Sequence, residues 1–129
     1  MNELPKNLRY TKNHEWVRQR DDGNLEVGIT EHAQEQLGDL VYVELPETGQ
    51  EVSEGKVCAV VESVKAAADI YSPVAGVIIE VNEDLSSKPE LINQDPYGTF
   101  IFVLQPQDPK SVETLLDPEG YARLLSEQD

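Results

Sequence analysis

The sequence predicts a mainly β protein, a β-sandwich or flattened barrel with one short helix near its N-terminus and short helices at its C-terminus. Three observations predict this class. Leu25 to Ile29 alternates apolar residues with Glu26 and Gly28, the period of a half-buried strand. Val57 to Val61 is apolar on both faces, as in a strand held between two layers. Asp108-Pro109 and Asp117-Pro118 each pair an N-cap residue with proline at the first helical position.

The size of the chain predicts one domain. Its 129 residues are enough for one hydrophobic core and too few for two comfortable ones, and 39% of them are hydrophobic, as in folded globular proteins. We expect a single domain over residues 1–129, with a core at about 8–104 and a helical tail at about 108–127.

A β-hairpin and a short helix are predicted in the first third of the chain. Residues 16–29 form the hairpin, because Asp21-Asp22-Gly23-Asn24 supplies the residues that a tight turn with positive φ needs. Thr30 is then a helix N-cap and Gly38 the stop signal. The helix between them has about two turns and is expected to bury Ala33 and Leu37.

The pattern from Asp39 to Leu104 is β throughout. Strands are predicted at Leu40–Val43, Val57–Val61, Val74–Val81 and Thr99–Leu104, with a turn at Asn82-Glu83-Asp84. No helix is expected in this region.

Two segments in the β region share one short motif. Pro46-x-x-Gly49-x-x-Val52 is followed later by Pro73-x-x-Gly76-x-x-Ile79. The repeat predicts two halves related by an approximate two-fold axis. Between the two segments lies Glu62-Ser63-Val64-Lys65-Ala66-Ala67-Ala68-Asp69.

The charge excludes several classes of partner. Ten basic residues against 25 acidic ones give a formal net charge of −15. That charge repels nucleic acid and anionic membranes. The charge is typical of a protein kept soluble by its surface, and equally of a small monomer that visits partners with basic docking surfaces. Charge alone does not separate these two interpretations.

The sequence also predicts a cytoplasmic location. No apolar run approaches the roughly 18 residues that a membrane span needs. The start, Met1-Asn2-Glu3-Leu4-Pro5, has neither a basic-then-apolar signal pattern nor an Arg-rich transit pattern.

No active site or metal site is predicted, so we expect a protein that is not an enzyme. Cys58 is the single cysteine, in an apolar segment where a buried structural role is expected. His14 and His32 are the only histidines, and His14-Glu15-Trp16 lacks the second histidine of a zinc-protease motif. No glycine-rich phosphate loop is present.

Lys65 has an unusual setting. It follows Val64, precedes three alanines and has no acidic residue beside it. Residue propensity alone favours a short helix here, with Glu62 and Lys65 as an i,i+3 pair on a solvated face. On that interpretation Lys65 is an ordinary surface lysine.

Wider comparison of motifs reverses this interpretation. Several segments resemble landmarks of the glycine cleavage system H protein family, in that family's order, from about Leu8 to Tyr97. They are His14-Glu15-Trp16, Gly28–Gln34, Leu37-Gly38-Asp39, Leu45-Pro46-Glu47, Glu62–Tyr71 and Pro89–Asn93. Several independent motifs in one order are far more specific than any one of them.

The resemblance implies a lipoyl/biotinyl-domain-like β-sandwich with pseudo-two-fold symmetry, in which Lys65 sits at a hairpin tip. It implies lipoate as the cofactor, attached covalently to Lys65 through an amide bond. Glu62 is the implied contact for the lipoylating enzymes. Glu15 and Asp69, with Asn13 nearby, lie where the family offers carboxylates to the amine on the loaded arm.

The resemblance also implies the partners. The family's arm takes an aminomethyl group from glycine decarboxylase, a pyridoxal-phosphate enzyme, and passes it to a tetrahydrofolate-dependent aminomethyltransferase. Dihydrolipoamide dehydrogenase then reoxidises the dithiol. From the residues alone, Glu15 and Asp69 facing water with no such role is the alternative.

The alternatives for Lys65 are biotin attachment, a lipoate relay and an interaction module. Biotin carriers place methionine on both sides of the lysine, whereas Val64 and Ala66 stand here. A lipoate relay, which donates lipoate to other lipoyl domains, would need the same Lys65. An interaction module with an unmodified Lys65 is the third alternative.

One stretch departs from the family pattern. The family runs from Pro-Tyr through a short glycine-containing segment to Trp and an apolar strand. Here Tyr97-Gly98-Thr99 leads directly to Phe100, which is shorter and has Phe in place of Trp. We expect the local loop and the packing of the last strand to differ from the family's.

Overall fold

The computed structural model describes residues 4–128. The expected cytoplasmic location depends partly on Met1–Glu3, which lie outside the described residues. Within residues 4–128, nine strands form two antiparallel sheets that pack on each other. The strands are β1 Arg9–Tyr10, β2 Glu15–Gln19, β3 Leu25–Ile29, β4 Leu40–Glu44, β5 Glu51–Val52, β6 Val57–Ser63, β7 Ala67–Tyr71, β8 Gly76–Val81 and β9 Phe102–Pro106.

The two sheets differ in size. Six strands form the larger sheet in the order β1-β2-β3-β9-β8-β5, and three form the smaller one in the order β4-β6-β7. The residues that face each other between the sheets are apolar, among them Val27, Val61 and Ile78 with 0% exposure. The prediction of a mainly β sandwich with short helices is confirmed. The approximate two-fold symmetry stays a prediction, although the repeated segments do pair with each other through β5 and β8.

Five short helical segments complete the described part of the chain. They are α1 Glu31–Leu37, a 3-10 helix Glu83–Ser86, α2 Leu91–Gln94, a 3-10 helix Pro109–Thr114 and α3 Pro118–Gln128. None of the helices within residues 4–128 combines the length and the apolar character that a membrane span requires.

The N-terminal hairpin and α1 form as the sequence predicts. β2 and β3 pair in register around a turn that places Gly23 at φ 89°. The Thr30 hydroxyl accepts a hydrogen bond from the Ala33 N–H at 3.3 Å, which is the N-cap contact. Gly38, at φ 84°, donates its N–H to the Gln34 carbonyl and ends the helix.

The expectation of β structure throughout residues 39–104 is wrong at two places. Glu83–Ser86 is a 3-10 helix, where a simple turn was predicted, and Leu91–Gln94 is one turn of α-helix. Each buries a single apolar residue, Leu85 and Ile92, at 0% exposure. A segment of four residues cannot display a 3.6-residue period, so hydrophobic patterning does not detect it.

The last strand is displaced from its predicted position. It runs from Phe102 to Pro106 instead of Thr99 to Leu104. Before it, Ile101 donates its N–H to the Val27 carbonyl at 2.7 Å in a bend. After Leu104, the strand continues through the exposed Gln105, which pairs with Val77 of β8. Backbone pairing therefore extends the strand beyond its apolar residues.

The C-terminal tail packs on a second hydrophobic cluster, which is mostly aromatic and separate from the core between the sheets. Leu8, Tyr10, Trp16 and Tyr121 are all at most 2% exposed, and Phe100 packs against them. The predicted helices after Asp108 and Asp117 are confirmed; Asp108 caps the Lys110 N–H at 3.0 Å. Cys58 is buried, as expected for its apolar segment.

Candidate functional site

Lys65 lies at the tip of the hairpin formed by β6 and β7. The last pair of the ladder joins Glu62 to Ala67, and Val64-Lys65-Ala66 forms the exposed tip beyond it. The short helix favoured by residue propensity is therefore wrong. The hairpin position implied by the family resemblance is the one that the structure has.

Local hydrogen bonds and strand pairing hold this tip. The Ser63 hydroxyl accepts from the Ala66 N–H at 3.1 Å and from the Lys65 N–H at 3.3 Å. The Ser63 N–H donates to the Ala66 carbonyl at 2.7 Å. Because β6 is paired on both sides, by β4 and β7, the tertiary ladder overrides the helix propensity of the alanines.

The Lys65 side chain is exposed at the tip, and its far end lies beside the turn after α1. Lys65 is exposed, and its ammonium group takes part in none of the ion pairs of residues 4–128, which join Arg18 and Arg20 to Glu26 and Glu80. Its stem passes beside the turn after α1, where a methyl group added at Gly38 would lie 3.6 Å from Lys65 Cε. Glu62 lies three residues before it, half-buried, between Tyr42 of β4 and Ala67 of β7.

A cleft of about 410 Å³ lies beyond the base of the same hairpin. Four parts of the chain form its walls: the segment before β2 with the first residue of β2, the turn before β6, the end of β7 with the residues after it, and the C-terminal tail. The lining residues include Thr11, Asn13 and Glu15, then Tyr71, Ser72 and Pro73, then Leu115, Leu116 and Leu124. A larger groove of about 740 Å³ lies between the ends of β5, β8 and β9, but none of the predicted site residues lines it.

Glu15 is a buried carboxylate at the wall of this cleft, with 1% exposure. Its Oε1 accepts a hydrogen bond from the Thr11 hydroxyl at 2.7 Å, and its Oε2 accepts one from the Tyr71 N–H at 2.8 Å. β7 is an edge strand, so the carboxylate takes the place of a strand partner for Tyr71. Glu15 thus ties the large sheet to the Lys65 hairpin, and the alternative in which it faces water is wrong.

Burial governs the acidity of Glu15. Desolvation raises the pKa of its carboxyl above the ordinary value, and the hydrogen bonds from Tyr71 and Thr11 oppose that rise. A cation placed in the cleft would favour the ionised form.

Asn13 and Asp69 occupy different positions relative to the cleft. Asn13 is exposed and lines it beside Glu15. Asp69 is also exposed but is not among the cleft residues. It pairs with Val60 on β6 and lies two residues before Tyr71, so it shares the outer face of β7 with Tyr71, nearer to the tip.

The C-terminal helix α3 is attached through Tyr121. The Tyr121 hydroxyl lies 2.8 Å from His14 Nδ1 and 2.8 Å from the Thr30 hydroxyl. Its ring stacks on Tyr10 with centroids 4.7 Å apart. His14 adopts φ 70°, a left-handed conformation uncommon for a side-chain-bearing residue, between Asn13 and Glu15. Tyr121 thereby supports the segment that carries the cleft residues.

Thr11, Tyr71 and Tyr121 were missed as contributors to the site. Their contacts join segments 4, 56 and 91 residues apart, and only the first separation is local. No motif signals such pairings. Among the described residues, no group of three or more His, Cys, Asp or Glu side chains could hold a metal ion.

Comparison with known proteins identifies the family of the chain. The family model for glycine cleavage H-protein matches residues 8–128. The chain is 52% identical over 126 residues to the glycine cleavage system H protein of Nitrosospira multiformis, with 98% of each chain covered. It is 53% identical over 129 residues to that of Shewanella oneidensis, covering 99% of this chain and all of the relative.

A solved structure extends the similarity to the fold. The crystal structure of a glycine cleavage system H protein from Mycobacterium marinum superposes with a TM-score of 0.85 at 40% identity. The match covers 95% of this chain and 99% of that one. The chain therefore belongs to the glycine cleavage H-protein family, a family of lipoyl carriers.

Proposed function

We propose that this chain carries lipoate in amide linkage on Lys65 and shuttles the aminomethyl group of glycine between enzymes. The observation that carries the proposal is an exposed lysine at the tip of a hairpin in a chain of this family. On this proposal the chain is a carrier and catalyses no step itself.

The residues at the tip fit an attached arm. Lys65 is exposed, and the Ser63 hydrogen bonds order the backbone that bears it. When attached, the dithiolane of lipoate supplies the sulfur that accepts the aminomethyl group. The protein supplies the position of the attachment point and a place where the transported group is held.

The outer face of β7 connects the tip with the cleft. Ala67, Asp69 and Tyr71 alternate along that face. At about 3.3 Å per residue, Tyr71 lies roughly 20 Å from Lys65 along the strand. Asp69 stands on this line and Glu15 at its end, so a cationic group moving from tip to cleft would meet two carboxylates.

Glu15 is proposed to bind the amine that the arm transports. An ammonium group beside a buried carboxylate gains a charge-assisted hydrogen bond, worth about 1.5–3 kcal/mol. Thr11 and Tyr71 keep the carboxylate oriented at the wall of the cleft, and each of its oxygens can accept a further hydrogen bond. Asn13 offers an amide oxygen at the rim, and the tail residues Leu115 and Leu124 limit the access of water.

The proposed partners follow from this role. They are glycine decarboxylase, the aminomethyltransferase, dihydrolipoamide dehydrogenase and the enzymes that attach lipoate, with Glu62 as a contact for the last group. The formal charge of −15 supports basic docking surfaces on these partners and argues against nucleic acid or membrane as a partner. We propose a monomer that acts in the cytoplasm.

The test compares Lys65→Arg with a matched lysine variant. Lys56 is also exposed and lies at the other end of β6, so Lys56→Arg controls for loss of any surface lysine. Wild type and Lys56→Arg, incubated with lipoate, ATP and a lipoate ligase, should each gain one lipoyl mass and support glycine cleavage with the partner enzymes. Lys65→Arg should fold, gain no mass and support no reaction. Glycine cleavage by the Lys65→Arg protein would contradict the proposal.

A further inference from the structure

We propose that a surface beside Lys65 is the docking site for the enzyme that attaches lipoate. The surface, here called the tip platform, consists of Gly38, Asp39, Val41, Tyr42 and Val64. The inference rests on the proposed function and deepens it, because it assigns one partner to one surface.

Exposed apolar side chains mark the platform. Val64 is 82% exposed, Val41 55% and Tyr42 49%, the three highest values among the large apolar residues that are exposed. Val41 and Tyr42 are consecutive in β4, where regular alternation would turn one of them inward. A register shift between Leu40 and Tyr42 marks a β-bulge, and it leaves both side chains facing solvent.

Strand pairing brings these residues to the lysine. Tyr42 pairs with Glu62, and Leu40 pairs with Ser63, the last residue before the tip. Directly opposite residues in an antiparallel pair have Cα atoms about 4.5–5.5 Å apart. Gly38 lies against the Lys65 stem, so the turn after α1 and the hairpin tip form one continuous surface.

Asn93 holds the platform in place. Its Oδ1 accepts from the Leu40 N–H at 2.9 Å, and its Nδ2 donates to the Gly38 carbonyl at 2.8 Å and to Gln34 Oε1 at 2.9 Å. One side chain thus fixes both ends of the turn from α1 to β4. The turn is therefore ordered before any partner binds, which lowers the entropic cost of docking.

The position of the platform selects the occupant. The attaching enzyme forms a bond to Lys65 Nζ, so it must cover the residues within a few ångströms of that atom. Asp39, exposed, and Glu62, half-buried, add negative charge at the border. The fitting partner surface is an apolar depression with basic residues at its rim.

The test changes the platform without changing the lysine. In a Val41→Ser/Tyr42→Ser double variant, kcat/KM for lipoylation should fall about tenfold, the loss expected for removing an exposed aromatic anchor. Initial rates come from intact mass during incubation with a lipoate ligase at limiting carrier concentration. Ile79→Ser is the matched control, because Ile79 is also an exposed apolar strand residue, at 39%, but lies on β8 of the other sheet. It should be lipoylated at the wild-type rate.

A second variant tests the residue that holds the platform in place. Asn93→Ala removes the three hydrogen bonds that order the turn but leaves every platform side chain in place. Its lipoylation rate should also fall, at a temperature where circular dichroism shows the fold intact. A double variant and Asn93→Ala that are both lipoylated at the wild-type rate would overturn the inference.

Two further outcomes separate this inference from the function on which it rests. Double-variant protein driven to full lipoylation by excess ligase should react with glycine decarboxylase as wild type does. Slower reaction there, with an unchanged lipoylation rate, would assign the platform to a different partner and overturn the inference. Wild-type chain that never gains a lipoyl group would instead contradict the proposed function itself.

Discussion

The hairpin tip and the Glu15 cleft are built in opposite ways. The tip is exposed, and the hydrogen bonds that shape it run between Ser63 and residues at most three positions away. The cleft is partly buried, and the contact between its wall residues Glu15 and Tyr71 joins positions 56 residues apart. Behind it, Thr30 and Tyr121 are joined over 91 residues. The side-chain hydrogen bonds that shape the tip backbone are therefore local, whereas the walls of the cleft are held by segments that are distant in the sequence.

The largest effect is expected from moving the lysine by one position at the tip. Val64→Lys with Lys65→Val keeps the charge and an exposed lysine, because Val64 is 82% exposed. The displaced ammonium points in a different direction from the tip, so most of the lipoylation rate should be lost. Intact mass after incubation with a lipoate ligase measures the loss. Equal rates for the two lysine positions would show that exposure alone is sufficient.

A substitution in the cleft should lower the stability of the fold but leave the lipoylation rate unchanged. Glu15→Ala leaves the Tyr71 N–H without its acceptor, which should lower the free energy of unfolding by about 1–3 kcal/mol. Lipoylation at the tip should proceed at the wild-type rate while the variant is folded. Urea denaturation gives the first quantity and intact mass the second. A large fall in the lipoylation rate would mean that the two regions are not separable.

The raised pKa of Glu15 predicts that the stability contributed by this residue depends on pH. Because burial raises the pKa of this carboxyl in the folded state, the folded protein binds its proton more tightly than the unfolded chain. The stability that Glu15 contributes is greatest below its unfolded pKa of about 4.3 and is lost as pH rises through the folded pKa.

Glu15→Gln isolates this contribution, because it keeps the shape of the side chain but does not titrate. The free energy of unfolding of wild type minus that of Glu15→Gln should decrease with rising pH across this window and then level off. Urea denaturation at a series of pH values measures it. An increase of the difference with pH would contradict the assignment of burial as the dominant cause.

The smallest effect is expected at the tip backbone. Ser63→Ala removes the hydroxyl that accepts from the Lys65 and Ala66 N–H groups, all of them in contact with water. The free energy of unfolding should change by no more than about 0.5 kcal/mol. Faster amide hydrogen exchange at residues 64–66 should be the main result. A loss similar to that of Glu15→Ala would show that the tip is not a local structure.

The same contrast decides what the sequence could predict. Thr30 and Gly38 bound α1 by contacts within four residues, and both were predicted. The tip at Lys65 was predicted from the family resemblance, since local propensity favoured a helix. The roles of Tyr71 and Asn93 depend on which distant segments the fold brings beside them, which no local pattern contains. The one-turn helices were missed because each is held by a single buried residue, Leu85 or Ile92. The polar end of β9 was missed because it is held by backbone pairing with β8.

The most direct test of the account is the location of lipoate on the natural chain. The protein, expressed in a lipoate-competent cell and cleaved into peptides, offers five other lysines as internal controls: Lys6, Lys12, Lys56, Lys88 and Lys110. We expect one lipoyl group, found by mass spectrometry on the peptide that contains Lys65 and on no other. An unmodified Lys65, or lipoate on any of the other five, would contradict it.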